Sequence, residues 1–539
     1  MKFSRKHQSW VIAVLGLGLS YQINAETKQF RSTTDINEAL KQLPGNALSL
    51  PFILDQAIRY SDSFQSIIGT LPASKAPELA ALAPLDVLIS AQFAYTNNDQ
   101  EPSSSTSSTT VDKNKTYTLG LSKMFVTGTT LTASIEADDN NGTVTSTSST
   151  TGVTSSAGFT TTESTVTLGL EQSLWKDFLG YSTRKKVRAG ELEGSVVFDQ
   201  VVEATEDWTL GIAQTYYQAW LNKQRTIAAR AKLKRQEELS RITKLRVRRG
   251  SSARPELLQI ESAAIAAKTE EARVSEELNQ SWRLLIATVK LPRAWFKIDP
   301  VQIPMILEQQ PKELDAFCSE ATALLTAPTP DQEKIKSLVG ENPKVERYRK
   351  SAEASELKLQ AQRMDARPDL KVFGQYGANA YDDKLGSSLS EATGFDHDFW
   401  TVGIKLNMPL GFRANRAQVY QETANRLRSQ AEASGAQTYQ ELDLLQACSD
   451  VTRLKADSIR LDSAVAKQKE RSKLEQQRFA TGRIPILNAI AASNDLSDTE
   501  LLATQNKTLM HLSYWQLRKL KGELYAEMKK RIAEREQVY

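Results

Sequence analysis

Side chains that commonly carry acid–base, nucleophilic or metal chemistry are scarce in this sequence. Its 539 residues include three histidines, His7, His397 and His511, which lie far apart. We find no Gly-rich phosphate loop of the Walker type, no nucleophile motif and no cluster at metal-ligand spacing. The sequence therefore predicts a protein that is not an enzyme and that uses neither a cofactor nor a metal.

The two cysteines are the second chemical feature. Cys318 and Cys448 are too few for a disulfide scaffold or a Cys-rich metal domain. An oxidising compartment would permit a disulfide between them. Because Cys318 falls in a connector and Cys448 within a long helical pattern, we expect two buried free thiols instead.

A run of cations is the third feature. No acidic residue interrupts the basic side chains between positions 241 and 254, which are Arg241, Lys244, Arg246, Arg248, Arg249 and Arg254. Such a run would dock an acidic partner or favour anions at an entrance. The alternative is a solvated helix end, where cations complement the C-terminal dipole.

The charge of the whole chain excludes one class of partner. The formal net charge is +4, from 68 Lys+Arg and 64 Asp+Glu. Three of the cations, Lys2, Arg5 and Lys6, lie in a removable leader. The remaining chain is nearly neutral, so we predict no binding of nucleic acid.

The N-terminus has the pattern of a secretory signal peptide. A basic start, an apolar run at 10–19 and Ala25 before the cut define residues 1–25. The apolar run is about half of the ~20 residues that a membrane-spanning helix needs. Elsewhere the sequence has no long uncharged apolar stretch. The exported chain is therefore expected to enter a membrane only as a β-barrel.

Six segments alternate apolar with small or polar residues, which predicts strands with one apolar face. They are residues 86–97, 117–125, 130–138, 165–174, 370–376 and 399–408. Membrane barrels and soluble sandwiches share this pattern. Aromatic residues at the strand ends are candidates for a bilayer interface or for an ordinary core, namely Phe125, Trp175, Phe178, Tyr181, Phe399 and Trp400.

Ser and Thr dominate the linkers between the first strands. Residues 103–110 are all Ser or Thr, and residues 143–165 are nearly as rich. Such tracts contain too little apolar surface for a core, so we expect mobile, solvated loops. Long polar loops at one end of the strands suit the outer face of a barrel.

Two very long helices are predicted at residues 183–249 and 413–481, which contain no proline. At ~1.5 Å per residue each would span roughly 100 Å. Heptad spacing predicts coiled-coil packing, for example at Leu444, Ala447, Val451 and Leu454. Each helix ends at a glycine followed by a proline, which predicts a tight hairpin tip and returning helices at about 255–288 and 485–530.

The same order of blocks occurs twice, and here the chain resembles the TolC-like outer-membrane efflux channel family. The second-half stretches that carry the resemblance are Glu341-Asn342-Pro343, Arg367-Pro368-Asp369-Leu370, Val402-Gly403-Ile404-Lys405-Leu406-Asn407-Met408-Pro409-Leu410 and Arg478-Phe479-Ala480-Thr481-Gly482. Their first-half counterparts are Leu168-Gly169-Leu170-Glu171-Gln172-Ser173-Leu174 and Arg246-Val247-Arg248-Arg249-Gly250. The resemblance covers nearly all of the chain after the leader.

The resemblance implies an α+β membrane protein with two internal repeats. Three identical chains would share one outer-membrane β-barrel, continued by a long α-helical coiled-coil tube in the periplasm. Typical members contribute four strands each. The extra pair near residues 115–139 raises the count to six or forms a ribbon outside the barrel. Oligomerisation also follows from physics, because an open sheet edge in lipid is very costly.

This plan divides the chain into eight segments. They are a signal peptide at 1–25, an N-terminal periplasmic helical segment at 26–85, a first strand set at 86–174, a first helical hairpin at 175–291 with its tip near 250, an equatorial connector and short helix at 292–366, a second strand pair at 367–410, a second hairpin at 411–530 with its tip near 482, and a tail at 531–539.

The function implied by the resemblance is a passive exit duct in the outer membrane of a Gram-negative bacterium. It would serve a tripartite efflux pump or a type I secretion system, with a periplasmic adaptor and an inner-membrane pump as partners. Adaptor docking is expected at the hairpin tips, at Arg248, Arg249, Gly250, Pro255, Gly482, Arg483 and Pro485. Drugs, metal ions, siderophores and polypeptides all remain candidate cargoes.

A gate is also expected at the tips. Many family members carry acidic side chains at the position of Asn488 and one turn later, at Ala491, so that ring is missing here. Glu256, six residues after Gly250, would supply three carboxylates instead. Its alternative role is that of a first-turn acid that complements the helix dipole.

A competing function is a structural or adhesive outer-membrane stalk, built on a coiled coil and displaying Ser/Thr-rich loops. Two matched hairpin tips have no obvious use in a stalk, so the sequence favours the duct.

Overall fold

The computed structural model describes residues 35–98, 107–148, 151–308, 314–327, 333–335 and 342–536, and the predicted signal peptide lies outside them. In chain order its helices are α1 Ile36–Gln42, α2 Leu50–Tyr60, α3 Asp62–Ile68, α4 Ala76–Leu82, α5 Tyr181–Arg248, α6 Arg254–Val289, α7 Leu314–Leu325, α8 Pro343–Asp365, α9 Leu385–Gly394, α10 Arg413–Ala480, α11 Ile486–Leu520 and α12 Glu523–Glu536. Its strands are β1 Leu48–Ser49, β2 Val87–Asn97, β3 Ser107–Met124, β4 Thr129–Thr147, β5 Thr154–Ser173, β6 Met305–Ile306, β7 Asp369–Asp382 and β8 Asp398–Asn407.

One six-stranded sheet unites strands from both halves of the chain. Its order is β2-β3-β4-β5-β7-β8, and every neighbouring pair is antiparallel. The extra pair whose place the sequence left open, β3 and β4, lies inside this sheet. The short strands β1 and β6 pair in parallel elsewhere.

The sheet has one apolar face, and that face is largely uncovered within a single chain. Exposed large hydrophobic side chains occur on all six strands, as at Ile89, Leu121, Leu131, Leu168, Tyr376 and Ile404. On β8, Trp400 and Ile404 expose 74% and 72% of their surface. A contiguous exposed apolar face of this kind marks contact with a membrane or another protein.

The expectation of mobile Ser/Thr-rich loops was wrong for most of these tracts. β3 begins at Ser107, β4 continues to Thr147 and β5 begins at Thr154. Threonine is β-branched and favours strands, and the continuous ladder from Thr129↔Gln172 to Thr147↔Thr154 pairs the backbone groups without needing a core. The three strands extend past the last residues of β2 and β7 as a narrower ribbon. Residues 103–106 lie outside the described part of the chain.

The two long helices were predicted correctly. α5 and α10 each contain 68 residues, which corresponds to roughly 100 Å. The heptad residues Leu444, Ala447, Val451 and Leu454 are buried, as coiled-coil packing requires. Within the described ranges, no helix combines the length and the apolar character needed to cross a membrane.

Polar residues lie among the apolar residues on the packed faces of these helices, and their hydroxyl groups form hydrogen bonds within the same helix. The buried hydroxyls of Thr205, Thr209 and Thr243 each donate a hydrogen bond of 2.8 Å to the carbonyl four residues earlier. A buried polar group without a partner is costly, so this back-bonding lets threonine occupy a packed face.

The second returning helix is shorter than predicted. It was expected to run to about residue 530, but α11 ends at Leu520 and α12 begins at Glu523. Gly522 adopts φ 72° between them, a left-handed conformation that interrupts a helix. The break lets Tyr525, Met528 and Ile532 of α12 pack into a core formed with α2, α3 and α5.

The expectation of free thiols was also wrong, because Cys318 and Cys448 form a disulfide. α7 packs on the middle of α10 and brings the two Cα atoms to 5.1 Å. That separation is within the usual range for a bridge. The sequence could not show this contact, since 130 residues separate the pair.

The largest core joins the N-terminal helices to α5 and α6. Its largest fully buried side chains are Trp282, Trp295, Tyr216 and Tyr217. The Tyr216 hydroxyl lies 2.9 Å from the Leu48 carbonyl and 2.7 Å from that of Ile306. This tyrosine therefore fastens the β1–β6 pair to the long helix.

Candidate functional site

The two hairpin tips are built by the same local motif. Gly250 and Gly482 follow the ends of α5 and α10 with φ of 72° and 79°. Beyond α5, the Gly250 N–H donates to Val247 O (3.0 Å) and the Ser251 N–H to Arg246 O (2.9 Å). Beyond α10, the N–H groups of residues 482 and 483 repeat this pair at 2.9 Å each. This is the Schellman arrangement, which satisfies the last carbonyls of a helix and reverses the chain.

Arg246 joins the two tips. Its Nη1 donates a 2.7 Å hydrogen bond to the Phe479 carbonyl, near the end of α10. Its guanidinium carbon lies 4.8 Å from the centre of the Phe479 ring, a cation–π contact, and Nη2 donates to the Ser251 carbonyl at 3.3 Å. One side chain thus bridges the two repeats and its own turn.

A small apolar core lies beneath this bridge. Phe479 is only 1% exposed and packs with buried residues from α5, α6 and α11, namely Leu239, Ile260, Ile486, Ala489 and Ile490. The core fixes the geometry of the two tips relative to each other within one chain.

The predicted gate residues do not meet within one chain. Asn488 and Ala491 are exposed on α11, whereas Ala489 and Ile490 between them are buried. Glu256 lies in the first turn of α6 and accepts a hydrogen bond from the Ser252 hydroxyl. Its observed contact is therefore local, as expected for an acid that complements the start of a helix.

All seven predicted docking residues are exposed, namely Arg248, Arg249, Gly250, Pro255, Gly482, Arg483 and Pro485. The basic run that contains the first of them is not uniform. Arg241 pairs with Glu238 at 2.6 Å, and this hydrogen bonding holds the pKa of the Glu238 carboxyl below its usual range. Arg246 is turned into the tip, so the exposed cations of the run are Arg241, Lys244, Arg248, Arg249 and Arg254.

The sequence contained only a partial signal for the Arg246 bridge. An arginine stands four residues before the tip glycine in both repeats, at Arg246 and Arg478. The structure uses them differently, since Arg478 is exposed and Arg246 is half-buried against Phe479. No sequence pattern distinguishes the two.

The predicted interface aromatics occupy different positions on the sheet. Phe125, Trp175 and Phe178 are exposed near the end of the sheet where α5 begins. Trp400 projects from the apolar face about seven residues up β8. Phe399 lies on the opposite face, because successive strand residues alternate, and its ring packs over Gly377.

The remaining chemical features of the described residues concern metal ligands and histidine. Among them, no group of three or more His, Cys, Asp or Glu side chains is placed to hold a metal ion. His511 is buried and stacked on Tyr217, with ring centres 5.3 Å apart, and burial lowers its pKa to about 4. It is a core residue, neutral at ordinary pH.

The chain matches known proteins by its fold but not by its sequence. No protein-family model and no curated protein sequence matches the chain. Solved structures of outer-membrane channel proteins do match its fold, although their sequences have diverged widely. The fold is therefore that of an outer-membrane channel, as the resemblance to the TolC-like family predicted.

Three of these structures illustrate the likeness. The outer membrane protein VceC of Vibrio cholerae is 14% identical, with a TM-score of 0.62 over 88% of this chain and 96% of its own. The CmeC outer membrane channel of Campylobacter jejuni is 11% identical, with a TM-score of 0.62 over 95% and 94%. The MtrE outer membrane channel of Neisseria gonorrhoeae, in its open state, is 14% identical, with a TM-score of 0.59 over 88% of each.

Proposed function

We propose that this chain is the outer-membrane exit duct of a tripartite efflux pump or a type I secretion system. Three copies would conduct substrate passively across the periplasm and the outer membrane of a Gram-negative bacterium. The observation that supports the proposal most strongly is the order in which the sheet, the long helices and the tips follow one another along the chain. A sheet with an exposed apolar face leads directly into two 68-residue helices, each of which reverses at a matched tip.

The sheet supports a barrel to which each copy contributes all six strands. The exposed apolar face extends across every strand, from Ile89 on β2 to Ile404 on β8. From Trp400 to Leu406 the apolar face of β8 rises roughly 20 Å, at ~3.3 Å per residue. Outer-membrane barrels have an apolar band ~25 Å tall. The outer strands β2 and β8 each leave one backbone edge unpaired in a single chain, and pairing between copies would close both edges.

The helices support a periplasmic tube with partners at its far end. A passive duct has no energy source of its own, so an inner-membrane pump and a periplasmic adaptor would supply energy and contact. The exposed tip residues are the proposed adaptor surface, with Arg248, Arg249 and Arg483 available to acidic groups of the adaptor.

The same tips are the proposed gate. Asn488 and Ala491 are exposed on α11, where three copies would converge, and they would replace a carboxylate ring by amide and methyl groups. Glu256 is the nearest candidate acid. The Arg246 bridge would hold each chain's two hairpins together and so favour the closed state.

Conductance in a planar bilayer, with the mass in detergent, tests the proposal. We expect a trimer of low conductance. Replacing Asn488 and Glu256 together by glycine should raise the conductance, because both lie at the proposed constriction. The matched control is Asp498→Gly, an exposed position farther along α11, which should leave conductance unchanged.

A different result would favour the stalk. A monomer, or a trimer that never conducts in any variant, would contradict the duct. The Ser/Thr-rich ribbon of β3, β4 and β5 is the feature that such a surface protein would display.

A further inference from the structure

The connector helix α7 lies against the middle of α10. Leu314, Cys318 and Ala321 of α7 share a buried cluster with Leu444, Ala447, Cys448 and Val451 of α10 and with Leu517 and Leu520 at the end of α11. At the edge of this cluster Asp315 pairs with Lys455, and the Lys521 ammonium lies 4.4 Å from the centre of the Phe317 ring. The Asp315–Lys455 pair is exposed and contributes little to stability.

The disulfide is the covalent part of this contact. It closes a ring between positions 130 residues apart, which contains α8, β7, α9, β8 and the first half of α10. Closing a ring of that length restricts the unfolded chain strongly. The bridge therefore ties the segment between the two repeats to the long helix of the second repeat.

Burial sets the order of events. Cys318 is 3% exposed and Cys448 is 1% exposed. Thiol–disulfide exchange needs an attacking thiolate to reach a sulfur atom, and its rate depends on access. A docked α7 blocks that approach for any oxidant or reductant of ordinary size.

We propose that Cys318–Cys448 is a folding-dependent covalent clasp, formed by exchange with a disulfide-bearing oxidant before α7 docks and then sealed by docking. One cysteine thiolate attacks the oxidant's disulfide, which forms a mixed disulfide and expels one oxidant thiolate. The second cysteine thiolate then attacks the sulfur of the first and expels the other oxidant thiolate. The pair loses two electrons and two protons, and the oxidant becomes a dithiol. The inference concerns folding and holds whether or not the chain conducts.

Thiol counting on the full-length protein tests the clasp. Denatured without reductant, the chain should bind no maleimide. Treated with dithiothreitol while folded, it should gain maleimide-reactive thiols at least about tenfold more slowly than the same chain in denaturant, because reduction requires α7 to undock. Two reactive thiols in the unreduced chain would overturn the proposal. Equally fast reduction of folded and unfolded protein would overturn the sealing step.

A variant pair tests what the clasp holds. In the double variant Cys318→Ser and Cys448→Ser, limited proteolysis should cut the α7 segment several-fold faster than in the wild-type protein. Asp315→Asn removes the exposed ion pair to Lys455 and keeps the bridge, so its cleavage rate should match the wild type. Equal rates in all three proteins would show that the bridge does not hold α7. If the double variant does not fold, the thiol measurements on the wild-type chain still decide the proposal.

Discussion

Four acidic residues lie between positions 199 and 207 of α5, and three of them have partners on other helices. Asp199 pairs with Lys350 of α8 at 2.6 Å, Glu203 pairs with Arg347 of α8 at 3.0 Å, and Asp207 pairs with Lys519 of α11. Glu206 is fully buried, and neither of its carboxylate oxygens has a hydrogen-bond partner. Burial raises the pKa of Glu206 from 4.5 to about 8, although the nearby Lys519 opposes the shift.

This buried carboxyl predicts a pH-dependent stability. Its folded-state pKa lies above its unfolded value, so the folded state binds the proton more tightly. The contribution of Glu206 to stability should be fully present below about pH 4.5 and should be lost as the pH rises through about 8. Glu206→Gln keeps a neutral side chain of similar shape. The melting temperature of this variant should therefore depend less on pH than that of the wild type, and it should be the higher of the two at pH 8. The effect should reach several kcal/mol, since one pKa unit corresponds to about 1.4 kcal/mol.

The control for this prediction lies one turn away. Glu203→Gln removes a partner of Arg347 and should lower the melting temperature without removing the slope. A Glu206→Gln protein with the slope of the wild type would show that another group causes the pH dependence.

At the scale of elements, the junction between the sheet and α5 depends on one glycine. Gly180 precedes α5 with φ 71°, and a Cβ built there would lie 1.6 Å from the Val126 carbonyl oxygen. Val126 lies in the turn between β3 and β4, and the atom that the Cβ would meet belongs to the backbone, which cannot move aside as a side chain can. The neighbouring Asp177 carboxylate accepts hydrogen bonds from the Thr183 N–H and hydroxyl at 3.1 and 2.6 Å, which fixes the first turn of the helix.

Alanine at this junction should be far more costly than alanine at a tip. Gly180→Ala forces a backbone displacement and should lower stability by several kcal/mol or prevent folding. Gly250→Ala is the matched control, because its φ of 72° is nearly the same but nothing lies within 4 Å of a built Cβ. It should cost about 1 kcal/mol, the strain of a left-handed alanine alone. Thermal unfolding measures both, and equal losses would contradict the steric argument.

At the scale of the whole molecule, Arg246 is one of the contacts that join the two repeats. Near the tip, the Arg246 side chain at the end of α5 donates a hydrogen bond to the Phe479 carbonyl at the end of α10. The same side chain also contacts the buried Phe479 ring. Hydrogen bonds from charged groups contribute about 1.5–3 kcal/mol. A closed duct that loses such a bond in each copy should open more readily.

Conductance of tip variants measures that contribution. Arg246→Ala should raise the ratio of open to closed states by roughly ten- to hundredfold for each such bond that opening breaks, which corresponds to the energy of one bond. Arg246→Lys keeps the charge but not the forked geometry, and should fall between the alanine variant and the wild type. Arg248→Ala removes an exposed cation two residues away and should leave gating unchanged. Equal behaviour of Arg246→Ala and Arg248→Ala would exclude the bridge from gating.

Elements whose signals are local and periodic could be predicted from the amino-acid sequence alone. The proline-free heptads of α5 and α10, the alternation in all six strands of the sheet, and the breaks at Gly250 and Gly482 each depend on residues within one or two turns. Backbone geometry translates such patterns directly into structure. They were sufficient to predict the duplicated plan and the resemblance to outer-membrane channels.

Features that depend on partners distant in the chain could be identified only in the folded structure. Ser/Thr-rich segments are strands because a neighbouring strand pairs with them, and α9 packs on β5 and β7 although its own sequence has no clear helical pattern. The Cys318–Cys448 bridge and the choice of Arg246 over Arg478 depend on contacts across 130 and more than 200 residues. Local patterns specify which elements form, but the pairing of side chains between elements is fixed only when packing brings them within contact distance.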